Sequence, residues 1–332
     1  MRRVRSFFGG IHPHDAKKRT TGTPIRELPA PDTLVVPLRQ HAGLEAKPVV
    51  AKGDEVLKGQ LLAEAGGAIS APVHSPVSGK VRAIEPRAHE SGRSVTAIVI
   101  ENDHNDTWVE TKGHPDPVQL DVKAILKGIK EAGIVGMGGA GFPTAVKLSP
   151  PKGTTIDYLL INGCECEPYL PSDDRLMVEH AEEIILGARL MAKVLGARSI
   201  LVAVEDNKPE ALASLRAKAG NIEVVSVPTK YPQGGEKQLI QALTGREVRS
   251  NGLPYQVGTV VQNVGTAWAV ALALRDGKPL IARVVTVTGA AIGEPQNFMA
   301  PLGTTMEYLI EAAGGFAVTP EKVVVGGPMT GG

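Results

Sequence analysis

The chain has 332 residues, enough for two or three domains with buried cores. Its 36 basic and 35 acidic residues leave a net charge of +1, and aromatic residues make up only 4%, so no nucleic-acid-binding surface is indicated. The longest apolar run, residues 267–274, is far shorter than the ~20 residues of a membrane-spanning helix. The two cysteines, Cys164 and Cys166, exclude a disulfide framework and favour a reducing compartment.

The first third of the chain predicts an arm followed by a β domain. Residues 1–30 carry charges and prolines without periodicity, which is typical of an extended arm. Residues 31–112 contain short β-branched runs separated by glycine turns, near 33–36, 48–50, 56–57, 79–84 and 95–100. The half-motifs 50–61 and 69–81 resemble the barrel-sandwich fold of lipoyl and biotinyl carrier domains. Such carriers present a lysine at a hairpin tip, but residues 71–75 contain none, so we expect a structural scaffold.

The middle of the chain, residues 120–278, predicts alternating helices and strands. Asp121 is a suitable N-cap for a helix over 122–132, and Gly133 suits the position after its C-terminus. This alternation indicates a parallel sheet with right-handed crossovers, a Rossmann-like α/β domain. The further predicted elements are strands 156–161, 199–204 and 222–227, and helices 178–195, 209–219 and one from about 236.

The last part, residues 279–332, is strand-rich again. A strand at 282–288, a glycine turn, a helix at 306–313 and a strand at 322–325 predict a small β-grasp module. The chain is therefore expected to be an α/β multidomain protein. It ends at Gly332 just after a predicted strand and a Gly-Pro turn, so a longer natural chain is expected.

Polar side chains follow each predicted strand of the middle domain. Residues 162–168 (NGCECEP) follow the first strand, residues 205–207 the second and residues 228–236 the third. Ligands of open parallel sheets bind beyond the carboxyl ends of the strands, so these segments are expected to converge on a ligand site. The glycine-rich loop, residues 136–144 (GMGGAGFPT), leads toward the same edge.

The glycine-rich loop has the composition of a phosphate cradle. Because glycines have no side chain, their backbone N–H groups can turn inward toward an anion, and Lys147 adds positive charge. The spacing includes the G-x-G-x-x-G of dinucleotide-binding loops, but here it follows a helix rather than a strand, which weakens the ordinary Rossmann interpretation. A glycine-rich turn between domains is the alternative. The glycines are Gly136, Gly138, Gly139 and Gly141.

The acidic segment 162–168 also has two interpretations. Glu165 and Glu167 have carboxylates suited to ribose hydroxyls or a nicotinamide amide, whereas the alternative is a solvated acidic turn. Cys164 and Cys166 supply fewer thiolates than a cubane iron–sulfur cluster needs. The eight histidines show no metal-ligand spacing, and HExxH, GxSxG and P-loop motifs do not occur. No metal site and no catalytic side chain is therefore predicted.

Several of these motifs resemble a known family. Residues 133–147, followed by 161–168, look like the NADH-binding flavoprotein subunit of complex I. Nearly the whole chain is more similar still to the C subunits of Rnf electron-transport complexes. The further stretches that carry this resemblance are 8–18 (FGGIHPHDAKK), 231–236 (YPQGGE), 260–266 (VVQNVGT) and 325–329 (VGGPM).

The resemblance implies an FMN and NADH site. It places Glu165 and Glu167 near flavin or NADH, and Phe142 near the nicotinamide or adenine ring. The implied flavin-binding positions are Gly136, Gly138, Gly139, Gly141, Lys147 and Asn162. The remaining implied site positions are Tyr231, Gly234, Glu236, Asn263 and Thr266.

The resemblance also implies an electron-transfer function. Hydride would pass between NAD(H) and FMN, and single electrons would pass to iron–sulfur centres and ferredoxin, an oxidoreductase linked to ion pumping. Because the cofactor carries the chemistry, no catalytic side chain is required. The 4Fe–4S clusters would belong to a C-terminal module that these 332 residues do not include. The implied location is the cytoplasmic face of the bacterial inner membrane, held there by other subunits of the complex.

The chain departs from complex I in several ways, one of which is that a Glu-Glu pair of complex I is reduced here to Gly235 and Glu236. Complex I carries an arginine in the glycine-rich loop where this chain has Met137, and acidic residues where it has Cys164 and Cys166. Losing the arginine removes a planar donor for phosphate. Two alternative functions are a cobalamin reductase flavoprotein of a microcompartment and a scaffold subunit with a degenerate nucleotide site.

Overall fold

The structure is a computed structural model that describes residues 5–89 and 92–332. The first four residues of the predicted arm lie outside the described part. The remainder of the arm is extended, but it contains one short strand that the sequence did not predict, β1 (Ile25–Glu27). No helix in the described ranges is long and apolar enough to cross a membrane.

The N-terminal β domain consists of two small sheets. One has the strand order β2-β8-β7-β4 and the other β3-β5-β6. Leu34, Leu62 and Ile98 are fully buried between them, as the alternating apolar pattern predicts. Strands β5 and β6 were missed. Both are short, and the two central residues of β5 are both buried, so β5 lacks the alternation of apolar and polar residues that marks a strand. The strands are β2 (Thr33–Pro37), β3 (Lys47–Pro48), β4 (Glu55–Val56), β5 (Leu61–Glu64), β6 (Val73–His74), β7 (Gly79–Ala88) and β8 (Ser94–Asn102).

The middle region is a parallel α/β domain. Its sheet has the order β11-β10-β9-β12, and all neighbouring strands are parallel. The helices are α1 (Val122–Glu131), α2 (Thr144–Lys147), α3 (Ser172–Glu179), α4 (Ala181–Leu195), α5 (Pro209–Lys218), α6 (Glu236–Thr244) and α7 (Val264–Arg275). The strands are β9 (Tyr158–Gly163), β10 (Ser199–Glu205), β11 (Glu223–Val227) and β12 (Thr259–Asn263).

Most of the predicted elements of this domain are present. Asp121 caps α1 by accepting a hydrogen bond from Ala124 N at 2.7 Å, and Gly133 follows the helix with a φ of +67°. The predicted helix 178–195 corresponds to α4, and the helix before it, α3, was not predicted. Helices α4 and α7 cover one face of the sheet with a large apolar core, and α6 covers the other. These two layers leave the strand ends open for a site.

The C-terminal module is a three-stranded sheet with one helix. It contains β13 (Ala282–Val287), β14 (Gln296–Pro301) and α8 (Met306–Ala312), in the sheet order β1-β14-β13. The predicted strand at 322–325 was wrong. The free side of β14 pairs instead with β1 from the N-terminal arm, in parallel, so Val323 and Val324 find no partner strand and remain exposed.

The β domain packs directly against the glycine-rich loop. Ala42 N donates to Gly141 O at 2.9 Å, and a Cβ at position 141 would lie 3.3 Å from His41 Cα. A Cβ at Gly133 would lie 2.4 Å from Pro72 O, in the hairpin tip over 71–75. The β domain therefore contacts both ends of the segment that carries the loop, through the tip at Gly133 and through residues 40–42 at Gly141.

Candidate functional site

The candidate site lies where the strand order of the α/β sheet reverses. The chain runs from β9 through β10 to β11 on one side and then returns to place β12 on the other side of β9. Asn162 and Asn263 face each other in the register of β9 and β12, at the carboxyl ends of both strands. Such a reversal opens the crevice in which α/β proteins bind their ligands. The carboxyl ends of β9 and β12 thus meet at the edge of the sheet where the sequence predicts a ligand site.

The glycine-rich loop forms one wall of this crevice. Met137 N donates to Thr266 Oγ1 at 3.0 Å, which ties the loop to the start of α7. A Cβ at Gly138 would lie 3.4 Å from Asn263 Cβ, so the loop passes close to that side chain. Gly136 N donates to Phe142 O at 2.9 Å and closes the loop on itself, with the Phe142 side chain half-buried.

The amides of the loop are available to a ligand. Within the described ranges, the backbone N–H groups of Gly138, Gly139 and Gly141 donate to no protein acceptor. Gly139 has a φ of +110° and open space around it, a conformation that only glycine adopts readily. The hydroxyl of Thr144, directly after the loop, is buried without a hydrogen-bond partner. Unpaired donors of this kind fit a phosphate, so the cradle predicted from the sequence is chemically consistent with FMN.

The loop between β11 and α6 forms the opposite wall. Asn162 Nδ2 donates to Gly234 O at 2.8 Å, and Asn162 Oδ1 accepts from Cys164 N at 3.1 Å. Lys147 Nζ lies 2.7 Å from Glu236 Oε1 in a half-exposed ion pair. This pair joins the end of the glycine-rich loop to the start of α6. The two walls therefore meet across the crevice through oppositely charged side chains.

Asn263 organises the floor of the crevice. Its Oδ1 caps α7 by accepting from Gly265 N at 2.8 Å and Thr266 N at 3.3 Å. Its Nδ2 donates to Asp173 Oδ2 at 2.6 Å. The side chain is thus held in one orientation by α7 and α3, and Thr266 is fully buried beside it.

The Glu165 carboxylate contacts the start of α3. It accepts from Asp173 N at 2.6 Å and Asp174 N at 3.2 Å, which satisfies the exposed amides at the start of α3. Lys17 of the arm lies 3.7 Å from the same carboxylate and donates to Glu165 O at 2.5 Å. The carboxylate is fully engaged within the protein, so this geometry assigns Glu165 to supporting the site, whereas the sequence resemblance implied a position near the ligand.

Glu167 is engaged by the C-terminal segment, residues 325–332. It accepts from Met329 N at 3.1 Å and from the hydroxyl of Thr330, and a Cβ at Gly327 would meet its carboxylate. Tyr231 lies nearby, and its backbone pairs with Ile11 of the arm. Burial raises the pKa of the Tyr231 phenol, with Glu167 adding to the shift. The arm and the C-terminal segment thus cover this side of the site together.

A buried carboxyl at the floor of the crevice has an unusual pKa. Burial, and then the Glu165 carboxylate, raise the pKa of Asp173 from 3.8 to about 7. The same causes raise the pKa of Asp174 to about 6. Both carboxyls are in the first turn of α3. The floor of the site therefore changes charge near neutral pH.

This titration predicts a pH-dependent stability. Because the folded-state pKa of Asp173 is raised, its contribution to stability is fully present below pH 3.8 and is lost as the pH rises through about 7. We expect the unfolding free energy of Asp173→Asn to fall less between about pH 5 and pH 8 than that of the parent chain. Urea denaturation at both pH values measures the difference.

The comparison with the parent chain cancels the contributions of the other titrating groups to the pH dependence of stability. Burial lowers the pKa of His74 to about 4, so the contribution of His74 has the opposite sign and is lost as the pH falls below 6.5. Both chains share His74, so it cancels in the difference. The exposed Asp116→Asn serves as a control that follows the parent chain. Equal pH slopes for Asp173→Asn and the parent would contradict this prediction.

Metal binding has no candidate here. Within residues 5–89 and 92–332, no three histidine, cysteine, aspartate or glutamate side chains are grouped to hold a metal ion. Burial raises the pKa of the Cys164 thiol well above its usual value, and raises that of Cys166 as well. Both thiols are therefore in their neutral form at physiological pH.

Comparisons with known proteins decide the family. The model described as the RnfC barrel sandwich hybrid domain matches residues 5–105, the Nuo51 FMN-binding domain matches 129–272, and the SLBB domain matches 284–331. Among the C subunits of ion-translocating complexes, that of the proton-translocating ferredoxin:NAD(+) oxidoreductase complex of Clostridium ljungdahlii is 48% identical over 99% of this chain, which spans 72% of that relative. The chain belongs to this family of C subunits. Its resemblance and its three-part fold, inferred above from the sequence, are confirmed.

Other relatives extend the comparison. The counterpart in the ion-translocating oxidoreductase complex of Cronobacter sakazakii is 44% identical over 99% of the chain, which spans 43% of that family member. A protein from a NAD+-reducing NiFe hydrogenase, in a crystal structure of the air-oxidized state, has a TM-score of 0.53 and 26% identity over 60% of this chain and 40% of its own. The chain thus spans less than half of several of its relatives.

Sequence reasoning missed some residues of the site. Asp173 was not among the site positions predicted from the sequence, and Arg175, two residues later, pairs with Glu179 at 2.9 Å. Lys17 belongs to the stretch 8–18, which contributed to the family resemblance but was given no role in the site. Arg283 carried no signal, because it belongs to the C-terminal module and reaches the glycine-rich loop only through the tertiary fold. The boundaries of the three domains remain a prediction.

Proposed function

We propose that this chain binds FMN in the crevice between β9 and β12 and serves in NADH-linked electron transfer. The observation that carries the proposal is the set of unpaired loop amides at Gly138, Gly139 and Gly141, placed beside Asn263 at the reversal of the strand order. The match of residues 129–272 to an FMN-binding domain supports the same cofactor. The hydrogenase neighbour, named as NAD+-reducing, supports a nicotinamide partner.

The site residues predicted from the sequence take distinct roles in this proposal. The loop amides and Lys147 bind the phosphate, and Glu236 holds Lys147 in place through their ion pair. Asn162 and Asn263 shape the floor, and Thr266 fixes the loop through Met137 N. Phe142 and Tyr231 are the half-buried aromatic side chains placed to contact rings of the ligand. Flavin, when bound, supplies the chemistry that converts a hydride into single electrons.

The chain itself orients the ligands and excludes water. Glu165 and Lys17 hold the start of α3, and with it Asp173, against Asn263. The arm and the C-terminal segment cover the Glu167 side of the crevice. Excluding water strengthens the electrostatic contacts within such a site. We propose that Glu167 lies at the entry of the nicotinamide, next to Tyr231.

The wider role follows from the names of the relatives. The Clostridium relative is named as part of a proton-translocating ferredoxin:NAD(+) oxidoreductase complex. We extend to this chain a place in such a complex, with NADH, ferredoxin and other Rnf subunits as partners. Iron–sulfur centres of the 4Fe–4S type would accept the electrons, and partner subunits would hold the protein at the cytoplasmic face of the membrane.

Reconstitution tests this proposal directly. We expect the purified chain to bind FMN and the bound flavin absorbance to be bleached by NADH under anaerobic conditions. Failure to bind FMN at any concentration tested would overturn the flavoprotein proposal and favour the scaffold alternative. If NADH bleaches the flavin but only a cobalamin acceptor sustains turnover, the cobalamin reductase would be favoured instead.

A variant of the cradle makes this test specific. The side chain of Gly138→Val would occupy the space between the loop and Asn263, so we expect FMN affinity to fall about 5- to 150-fold, from the ~1–3 kcal/mol of overpacking. Gly22→Val is the matched control, since a Cβ there meets nothing within 4 Å. Fluorescence titration measures both. Equal affinities in the two variants would contradict the placement of FMN in this crevice.

A further inference from the structure

A guanidinium from the C-terminal module reaches the glycine-rich loop. Arg283 is on β13, outside the segment that matches the FMN-binding domain. Its Nη2 lies 3.5 Å from Met137 O, the carbonyl directly before Gly138. The Met137 amide donates to Thr266 Oγ1, so the backbone at this residue is contacted from both α7 and β13. The arginine thus stands at the end of the cradle where the free amides begin.

The guanidinium of Arg283 has N–H donors that its contact with Met137 does not use. In the part of the chain that the structure describes, the long contact to Met137 O is its one hydrogen bond, and it forms no ion pair. It is close enough to Asp173 to lower the pKa of that carboxyl, although burial dominates and the net shift is upward. An arginine has several N–H donors in a planar fork suited to phosphate oxygens. Most of this fork is therefore open to a ligand.

Three lysines near the site are already paired with carboxylates. Lys147 lies 2.7 Å from Glu236, Lys17 lies 3.7 Å from Glu165, and Lys208 lies 3.1 Å from Glu205. The loop amides are neutral, whereas a phosphate monoester carries a charge of about −2 at neutral pH. Lys147 shares its charge with Glu236, so a further, unpaired cation would balance more of the charge of a phosphate bound at this cradle. Arg283 supplies this cation by its position and by its open donors.

We infer that Arg283 binds the phosphate of the nucleotide held at the glycine-rich loop, so that the C-terminal module completes the site. This inference rests on the proposed function, and it adds a residue that neither the loop nor the α/β domain contains. The recognised chemistry is a phosphate ester, from either the monophosphate of FMN or the diphosphate of NADH. In both cases the guanidinium forms charge-assisted hydrogen bonds to phosphate oxygens.

The test compares ligands with and without phosphate. FMN and riboflavin are titrated into the whole chain and into Arg283→Gln, and the rate at which NADH reduces the bound flavin is measured at saturating FMN. If Arg283 binds the flavin phosphate, FMN affinity falls about 10- to 100-fold while riboflavin affinity is unchanged. If it binds the dinucleotide, the KM for NADH rises by a similar factor while kcat and both flavin affinities stay the same. Either result supports the inference.

Two further variants serve as controls. Arg283→Lys keeps the charge but loses the fork, so it should recover only part of the affinity. Arg26→Gln removes an exposed arginine from β1 of the same sheet and should behave as the parent chain. Because Arg283 is exposed on an edge strand, its replacement should leave the thermal midpoint of the ligand-free chain unchanged.

The outcomes separate the inference from the function it rests on. If the parent chain binds flavin and Arg283→Gln has the same FMN-to-riboflavin affinity ratio and the same KM for NADH, the inference alone is overturned. If the parent chain binds neither flavin, the proposed function fails and the inference fails with it. A loss of riboflavin affinity equal to the loss of FMN affinity would also overturn it, because the phosphate would then play no part.

Discussion

Replacing Gly187 with alanine is expected to destabilise the α/β domain by at least about 3 kcal/mol, the upper range of overpacking penalties. Gly187 is on α4 at its contact with α7, and a Cβ there would lie 1.8 Å from Ala267 O. A backbone carbonyl inside a helix cannot move aside without breaking its own hydrogen bonds. Alanine has a better helix propensity than glycine by ~1 kcal/mol, but this gain is smaller than the steric penalty.

Gly128→Ala provides the matched control for this prediction. It is also a helical glycine, but a Cβ there would approach Leu274 Cδ2 at 2.5 Å, the mobile end of a side chain. We therefore expect Gly128→Ala to remain close to the parent chain. Urea denaturation followed by Trp268 fluorescence, in a Trp108→Phe background, reports on α7 alone. Equal unfolding midpoints for the two alanine variants would show that α4 and α7 can move apart at Gly187 without a large cost in stability.

The sequence predicted the parts of the fold that local patterns encode. Alternating helix and strand periods indicated the parallel sheet, and the capping residue Asp121 indicated the start of α1. Residues such as Asn162 and Glu205 were placed at one edge because parallel strands share the direction of their carboxyl ends. The glycine-rich loop was recognisable because several glycines in one short segment serve few other purposes. These inferences need no knowledge of distant contacts.

The remaining features depend on which distant segments meet. Residues 322–325 have the composition of a strand, yet the partner position beside β14 is taken by Ile25–Glu27 from the other end of the chain. Glu165 looks like a ligand contact until the start of α3 is found within hydrogen-bonding distance. Arg283 gains its position only because β13 packs near α3 and the loop. The composition of a segment does not indicate which distant segment it will contact.

The second large effect is expected at a buried ion pair beside the site. Glu205 and Lys208 lie 3.1 Å apart with side chains only 1% exposed, at the end of β10. Glu205 also lines a cavity of about 180 Å³ beneath the arm, together with Lys17 and Cys166. The mutual attraction of the pair raises the pKa of Lys208 despite its burial. For Glu205 burial prevails and raises the pKa although Lys208 opposes the shift, so the pairing offsets only part of the cost of burying that carboxylate.

Removing one partner of the pair should lower the free energy of unfolding far more than removing both. We expect Glu205→Leu to destabilise the chain by about 3–5 kcal/mol, because Lys208 would be left charged and unpaired in the interior. Lys17, whose pKa burial already lowers, would lose an attractive neighbour as well. The double variant with Lys208→Met removes the uncompensated charge and should recover most of the loss. Urea denaturation of both single variants and the double variant gives the coupling free energy directly.

The same cycle separates stability from function at the strand ends. Lys230 N donates to Glu205 Oε1 at 3.4 Å, and Lys230 Nζ donates to Phe7 O at 2.6 Å, so the pair lies beneath the contact between arm and sheet. If the pair matters only for burying charge, the double variant regains both stability and FMN affinity. If it also positions the loop that contains Tyr231 and Gly234, the double variant regains stability but binds FMN more weakly than the parent chain. A Glu205→Leu chain as stable as the parent would contradict the pairing on which both alternatives depend.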